Sequence, residues 1–215
     1  MKAVIFDMDG VVLHNNQWHL EAWLQYAQSR NIPLRREEAA ARVFGRTNRE
    51  IILEAFPDTP DETIRAWSSE KEALYRSIYL PHFQLAEGLK TLLNFLREKE
   101  IPTALASNAP RENVDFALDQ GRIREFFDAI VCEGMTSRPK PFPDIYLLAA
   151  ELLNIPPADC LVIEDSPTGI KAGNAAGCRV IGITSTFDAQ VLQQLAPLVV
   201  KSLSEIPAII QTGIA

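Results

Sequence analysis

The run Val4-Ile5-Phe6-Asp7-Met8-Asp9-Gly10-Val11-Val12 constrains this chain more than any other stretch. A short apolar run without polar alternation reads as a strand buried in a parallel sheet. Asp7 and Asp9 then fall at its C-terminal end, and Gly10 turns the chain at once. Open α/β sheets place their ligand crevice beyond those strand ends. Two carboxylates crowded there repel each other unless a cation or a shared proton stabilises them. Mg²⁺ suits such a pair, being a hard ion that takes few protein oxygens and keeps its waters. Taken alone, Asp-x-Asp-Gly is also ordinary turn composition, so the weight of the reading falls on the rest of the chain.

After this strand the periodicity changes. Leu20, Trp23, Leu24 and Ala27 follow the spacing of one helix face, ended by Asn31-Ile32-Pro33. Further helical stretches are expected around Glu37–Val43, Arg49–Ala55 and Asp61–Tyr79, broken by Gly45 and by Pro57–Pro60. No strand-like run occurs between about 15 and 81, which predicts an all-helical insertion over 15–81 within an α/β domain made of 1–14 and 82–215.

From Pro81 the alternation of βαβ units takes over. Leu89, Leu92, Leu93 and Leu96 form a helix stripe, and strands are expected at Thr103–Ala106, Asp128–Cys132, Leu161–Ile163, Arg179–Ile183 and Leu198–Val200. Ser166 and Pro167 have the form of a helix N-cap and first turn. Gly169, Gly173 and Gly177 recur every fourth residue, a spacing that reads as close helix packing. The fold expected is thus a Rossmann-like parallel sheet carrying a helical insert.

At 215 residues the chain is long enough for one sizeable α/β core with a smaller appendage. A net charge of −7 argues against nucleic acid or an anionic membrane as partner. No apolar run is long enough to span a bilayer, and no signal pattern precedes the first strand. Cys132, Cys160 and Cys178 stand singly beside apolar runs, the pattern of buried thiols in a reducing compartment. A cytoplasmic location is expected.

Polar groups gather at four strand ends or the loops that follow: Asp7 and Asp9, Ser107 and Asn108, Lys140, and Glu164 and Asp165. Singly, each has a plainer explanation. Ser107 and Asn108 could cap a helix, Lys140 could be a solvated lysine, and Glu164-Asp165 could answer a helix dipole. Together they converge on one crevice, because the C-terminal ends of a parallel sheet share one edge. Such a set permits phosphoryl transfer. A carboxylate attacks phosphorus and forms an aspartyl phosphate, a cation offsets the charge, lysine and hydroxyl or amide donors hold the phosphoryl oxygens, and a second acid moves the proton. A P-loop of the form GxxxxGK[ST] is absent.

Asp7-Met8-Asp9-Gly10-Val11, Ser107 after an apolar strand, Lys140 within Arg138-Pro139-Lys140-Pro141-x-Pro143-Asp144, and Glu164-Asp165-Ser166 resemble, in order, the four motifs of the haloacid dehalogenase-like superfamily. The resemblance covers nearly the whole chain and is greatest to the β-phosphoglucomutase-like, phosphatase-rich branch with a helical cap after the first motif. It implies that Asp7 is the nucleophile and Asp9 the general acid/base. It implies that Ser107, Asn108 and Lys140 hold the phosphoryl group, and that Asp7, the Asp9 backbone carbonyl, Glu164 and Asp165 surround Mg²⁺. In the cap, His19 matches a histidine found in β-phosphoglucomutases, and Arg46 or Arg49 in the Gly45–Glu50 loop could bind a second anionic group. His14-Asn15-Asn16 departs from the usual Asp-Ser or Asp-Thr at the hinge.

The expected function is Mg²⁺-dependent hydrolysis of a small phosphorylated metabolite, a sugar phosphate first, by a monomer. The mutases of this branch carry Ser-x-Ser-Lys at the second motif, whereas this chain has Ser107-Asn108-Ala109-Pro110 with Arg111 beyond. That departure places a β-phosphoglucomutase second. A phospho-receiver domain is shorter and carries its reactive aspartate on a middle strand, while here the expected strand Asp128–Cys132 runs into Glu133-Gly134. A non-catalytic binding protein would have no need of every catalytic group.

Overall fold

The computed structural model describes residues 1–213. The chain divides into two compact units, one made of 1–14 with 84–215 and the other of 15–83. The second junction falls after 83 and not after 81, because a short 3₁₀ turn over Leu80–His82 continues the preceding helix.

The larger unit is built on a six-stranded sheet. In chain order its strands are β1 (Ala3–Phe6), β2 (Thr103–Ala106), β3 (Ala129–Val131), β4 (Cys160–Glu164), β5 (Arg179–Ile183) and β6 (Leu198–Val200). They lie in the order β3-β2-β1-β4-β5-β6, and every pairing is parallel. Winding outward from β1 in one direction and from β4 in the other makes the β1/β4 boundary the switch point, where such sheets open a crevice. Ala3, Val4, Ile5 and Phe6 are all fully buried, as a central strand covered on both faces requires. β3 is shorter than the expected Asp128–Cys132. At Asp128 the carboxylate accepts from the Thr103 N–H at 2.9 Å while the Asp128 N–H donates to Thr103 O at 2.9 Å, and the Cys132 N–H turns to Met135 Sδ at 3.4 Å.

The smaller unit holds α1 (Asn16–Arg30), α2 (Arg36–Val43), α3 (Asn48–Ala55) and α4 (Asp61–Tyr79). Its core gathers Trp23, Tyr26, Ala27, Ile32, Val43, Ile51, Ile52 and Ile64. The buried face of α1 is Ala22, Trp23, Tyr26 and Ala27, so the expected stripe is rotated: Leu20 and Leu24 lie half-buried at its border. Small Ala22 allows close helix approach, and Tyr26 buries its ring while its hydroxyl donates to Glu70 at 2.7 Å. α3 begins with a complete capping box between Thr47 and Glu50.

In the larger unit, α5 (Leu89–Glu98) buries Leu89, Leu92, Leu93 and Leu96, as its stripe predicts. It is followed by α6 (Arg111–Gly121), α7 (Asp144–Leu152), α8 (Pro167–Ala175), α9 (Ala189–Leu192) and α10 (Ile206–Thr212). The chain segments that lead into and out of the helical insert are tied together. The Ala86 N–H donates to Val12 O at 2.9 Å, the His14 N–H donates to Gln84 O at 3.3 Å, and Leu13 pairs antiparallel with Leu85. Cys132, Cys160 and Cys178 are buried free thiols. Among the described residues no helix is long and apolar enough to cross a membrane.

Candidate active site at the β1/β4 switch point

Asp7 follows β1 directly, and its N–H donates to Ile163 O on β4 at 3.1 Å, which fixes its backbone beside Glu164. The loop beyond closes on itself: Val12 and Leu13 donate N–H groups to Met8 O at 2.8 and 3.1 Å. Gly10 sits in that loop at φ +80°, a conformation that a side chain would strain. Ser107 follows β2, held by its N–H on Val131 O of β3 at 3.0 Å, and its hydroxyl accepts from the Ala109 N–H at 3.1 Å. Asn108 touches the lysine loop. Its side-chain oxygen accepts from the Lys140 N–H at 3.2 Å and so anchors the lysine loop.

Lys140 lies at the centre of the cluster. Its ammonium donates to Asp7 Oδ1 at 2.6 Å, to Glu164 Oε1 at 2.7 Å and to Ala106 O at 3.1 Å. Glu164 accepts five hydrogen bonds. Lys140 and the Tyr146 hydroxyl share Oε1, and the Asp165 N–H, the Ser166 N–H and the Ser166 hydroxyl share Oε2. Asp165 accepts from the Thr186 hydroxyl. Ser166 caps α8 as its sequence predicts, accepting from the Gly169 N–H at 3.0 Å. Asp7, Ser107, Lys140, Glu164 and Asp165 are all buried, and Asp9 is half-buried.

Three buried carboxylates against one ammonium leave the cluster short of positive charge. Burial, reinforced by Glu164 and Asp9 and opposed by Lys140, pushes the Asp7 carboxyl up to about 7. Burial, then Glu164 and Asp7, lift the Asp165 carboxyl well above the usual carboxylate range. Burial works against the Lys140 ammonium, but Asp7 and Glu164 together hold its pKa above the ordinary lysine value. Oxygens of Asp7, Glu164 and Asp165 lie within 4.8 Å of one another. This all-oxygen, electron-rich donor set fits a hard divalent cation such as Mg²⁺.

The core residues expected from the motifs therefore come together. The cap residues have partners within their own unit. His19 stacks on Tyr75 with centroids 3.7 Å apart, and its Nδ1 lies 3.0 Å from Lys71 Nζ. Lys71 in turn donates to Glu72 Oε1 at 2.9 Å, as does the Asn48 amide at 2.7 Å. Arg46 is bound by Glu54 and by the carbonyls of Arg42 and Glu50, and Arg49 pairs with Asp61 at 2.8 Å. The glycine spacing on α8 also resolves differently. A Cβ on Gly169 would stand 1.6 Å from Glu164 Oε1, and one on Gly173 would stand 2.8 Å from Val180. Gly177 lies beyond the helix at φ +78° with nothing nearby, so its role is conformational and not close packing.

Tyr146 and Thr186 were not singled out by the sequence. Tyr146 sits in the apolar stripe of α7, where its buried hydroxyl needed a partner. Thr186 follows β5 on the same sheet edge as the other polar groups, and that edge rule would have found it.

A family model described as haloacid dehalogenase-like hydrolase matches residues 1–177. The chain is 31% identical over 194 residues to a phosphorylated carbohydrates phosphatase of Thermotoga maritima, covering 87% of this chain and 88% of that one. It is 34% identical over 192 residues to a beta-phosphoglucomutase of Bacillus subtilis, covering 85% and 83%. Among solved structures, a HAD hydrolase of family IA, variant 3, from Entamoeba histolytica superposes with a TM-score of 0.88 at 30% identity, covering 98% of this chain and all of that one.

Proposed function

Because the chain belongs to the haloacid dehalogenase-like hydrolases, we propose that it hydrolyses a small phosphorylated metabolite, a sugar phosphate first, through an aspartyl phosphate on Asp7. The observation that carries this reading is the Lys140 ammonium held between Asp7 and Glu164 at 2.6 and 2.7 Å beside Asp165. Lys140 pulls the Asp7 carboxyl toward its ionised form against burial, at a strand end where an ester can approach in line. Asp7 attacks phosphorus as the ester P–O bond breaks, and Asp9 gives its proton to the leaving oxygen. Asp9 then takes a proton from water as that water attacks phosphorus and the bond to Asp7 breaks. Lys140 and Ser107 hold the phosphoryl oxygens, and Asn108 keeps Lys140 in place through its backbone. Asp7, Asp165 and the Asp9 carbonyl would hold Mg²⁺, with Glu164 beside them, although that carboxylate is already engaged by five protein donors. Bound there, the ion neutralises charge between Asp7 and the phosphoryl group.

The identity to a beta-phosphoglucomutase supports a mutase as the second reading. A mutase must hold a sugar bisphosphate at two anion sites. Here Ala109 spends its N–H on Ser107, Pro110 has none, and Arg46 and Arg49 are paired with cap acids. Hydrolysis is therefore preferred. The deciding experiment is a turnover screen of phosphorylated metabolites with Mg²⁺. It includes β-glucose 1-phosphate with catalytic β-glucose 1,6-bisphosphate, following glucose 6-phosphate against free phosphate. Free phosphate is expected to dominate. Faster formation of glucose 6-phosphate would make the protein a mutase, and no turnover of any ester would remove the phosphatase reading.

A further inference from the structure

Tyr146 is fully buried on α7 and touches both Lys140 and Glu164. Its ring faces the Lys140 ammonium at 4.7 Å from the centroid, and its hydroxyl donates to Glu164 Oε1 at 2.8 Å. That oxygen is the one that also accepts from Lys140. We propose that Tyr146 is a positioning residue for the transfer step, aiming the Lys140 ammonium at the phosphoryl group through its ring face and through Glu164.

Lysine is a flexible stem with a point charge, and the Lys140 ammonium is divided between Asp7 Oδ1 at 2.6 Å and Glu164 Oε1 at 2.7 Å. Glu164 Oε2 is committed to Asp165 and Ser166, so Oε1 faces Lys140. The Tyr146 hydroxyl occupies part of that oxygen's capacity and weakens its pull, leaving the ammonium reachable from Asp7 and from an arriving phosphate. The ring supplies a second, softer attraction that fixes the direction of approach. Gly169 completes the arrangement, because any side chain there would displace the Glu164 carboxylate.

The inference rests on the phosphatase reading, and its test includes a measurement that needs no turnover. Tyr146→Phe keeps the ring and removes the hydroxyl. With Mg²⁺ present, inorganic phosphate is titrated calorimetrically against wild type and variant, and kcat and KM are measured on p-nitrophenyl phosphate. Phosphate affinity and kcat are each expected to fall roughly tenfold at a temperature where both proteins are folded. Tyr26→Phe is the matched control, since it deletes a hydroxyl that donates to Glu70 in the other unit. It is expected to lower the melting temperature without moving either constant. If Tyr146→Phe melts lower but binds phosphate and turns over like wild type, the hydroxyl is merely structural and the inference is overturned. A wild type that binds phosphate yet hydrolyses no ester would remove the phosphatase reading alone. The positioning role would then stand or fall on the phosphate affinity of the variant. A wild type that binds no phosphate and hydrolyses no ester would overturn both.

Discussion

As the proposed nucleophile, Asp7 is under two opposed demands: it would have to be ionised to attack, yet it is buried among other carboxylates. Lys140 works toward the ionised form, while burial, Glu164 and Asp9 still hold the carboxyl up to about 7. Asp7→Asn removes the charge while its side-chain oxygen can still accept from Lys140. The variant is expected to lose turnover by at least about a thousandfold and to melt no lower than wild type, because crowding among the acids is relieved. Phosphate release and thermal melts on the same samples check both halves, and turnover within tenfold of wild type would strip Asp7 of the nucleophile role. At this scale the sequence was informative wherever a polar residue ended an apolar run. Asp7, Ser107, Glu164 and Asp165 could be read that way, and Lys140 from its proline-rich loop. Tyr146 could not, because within Ile145–Leu152 an aromatic ring looks like core.

α8 shows how one spacing can hide three different requirements. Gly169 yields space to a carboxylate, Gly173 to Val180, and Gly177 supplies a left-handed turn. Gly169→Ala is expected to abolish turnover and to lower the melting temperature, since the Cβ and Glu164 cannot both stay where they are. Gly177→Ala is expected to cost about 1–2 kcal/mol for its positive φ and to leave turnover intact. Melting curves set beside kcat separate the two; equal damage to turnover would contradict the assignment. In the helical unit, Thr47→Ala removes the capping hydroxyl of α3 and is expected to cost about 1 kcal/mol by denaturant titration. Element positions were legible because Ser166-Pro167 and the leucine stripe of α5 are local signals. The rotated face of α1 was not, since what decides it is the neighbour against which Ala22 and Tyr26 pack.

For the molecule as a whole, the acidic cluster makes stability depend on pH and on cation. Asp7 and Asp165 have folded-state pKa values above their unfolded ones, so between about pH 4 and pH 7 the folded chain binds more protons than the unfolded chain. In chelator, the melting temperature is therefore expected to fall as pH rises through that window. Mg²⁺ held there as proposed would take the place of those protons. Its stabilisation, about 2.7 kcal/mol at a hundredfold excess over its dissociation constant, should be larger near pH 8 than near pH 5. Differential scanning calorimetry at both pH values tests this, and a cation effect independent of pH would separate the metal from these carboxylates. The parallel sheet was legible from the alternation of strands and helices, with the polar strand ends sharing an edge, whereas the order β3-β2-β1-β4-β5-β6 is set by pairings that no local signal carries. The end of the insert was legible only to within two residues, since the 3₁₀ turn over Leu80–His82 has no sharp sequence signal. Where the insert begins and ends has a consequence for descent. Val12–His14 and Gln84–Ala86 are laced to each other within the larger unit, so they form a socket whose two contacts stay a fixed distance apart. Residues can be gained, lost or exchanged wholesale between them without moving one register of the sheet. The span between them can therefore differ in length or sequence while the strand ends at the β1/β4 boundary keep their places.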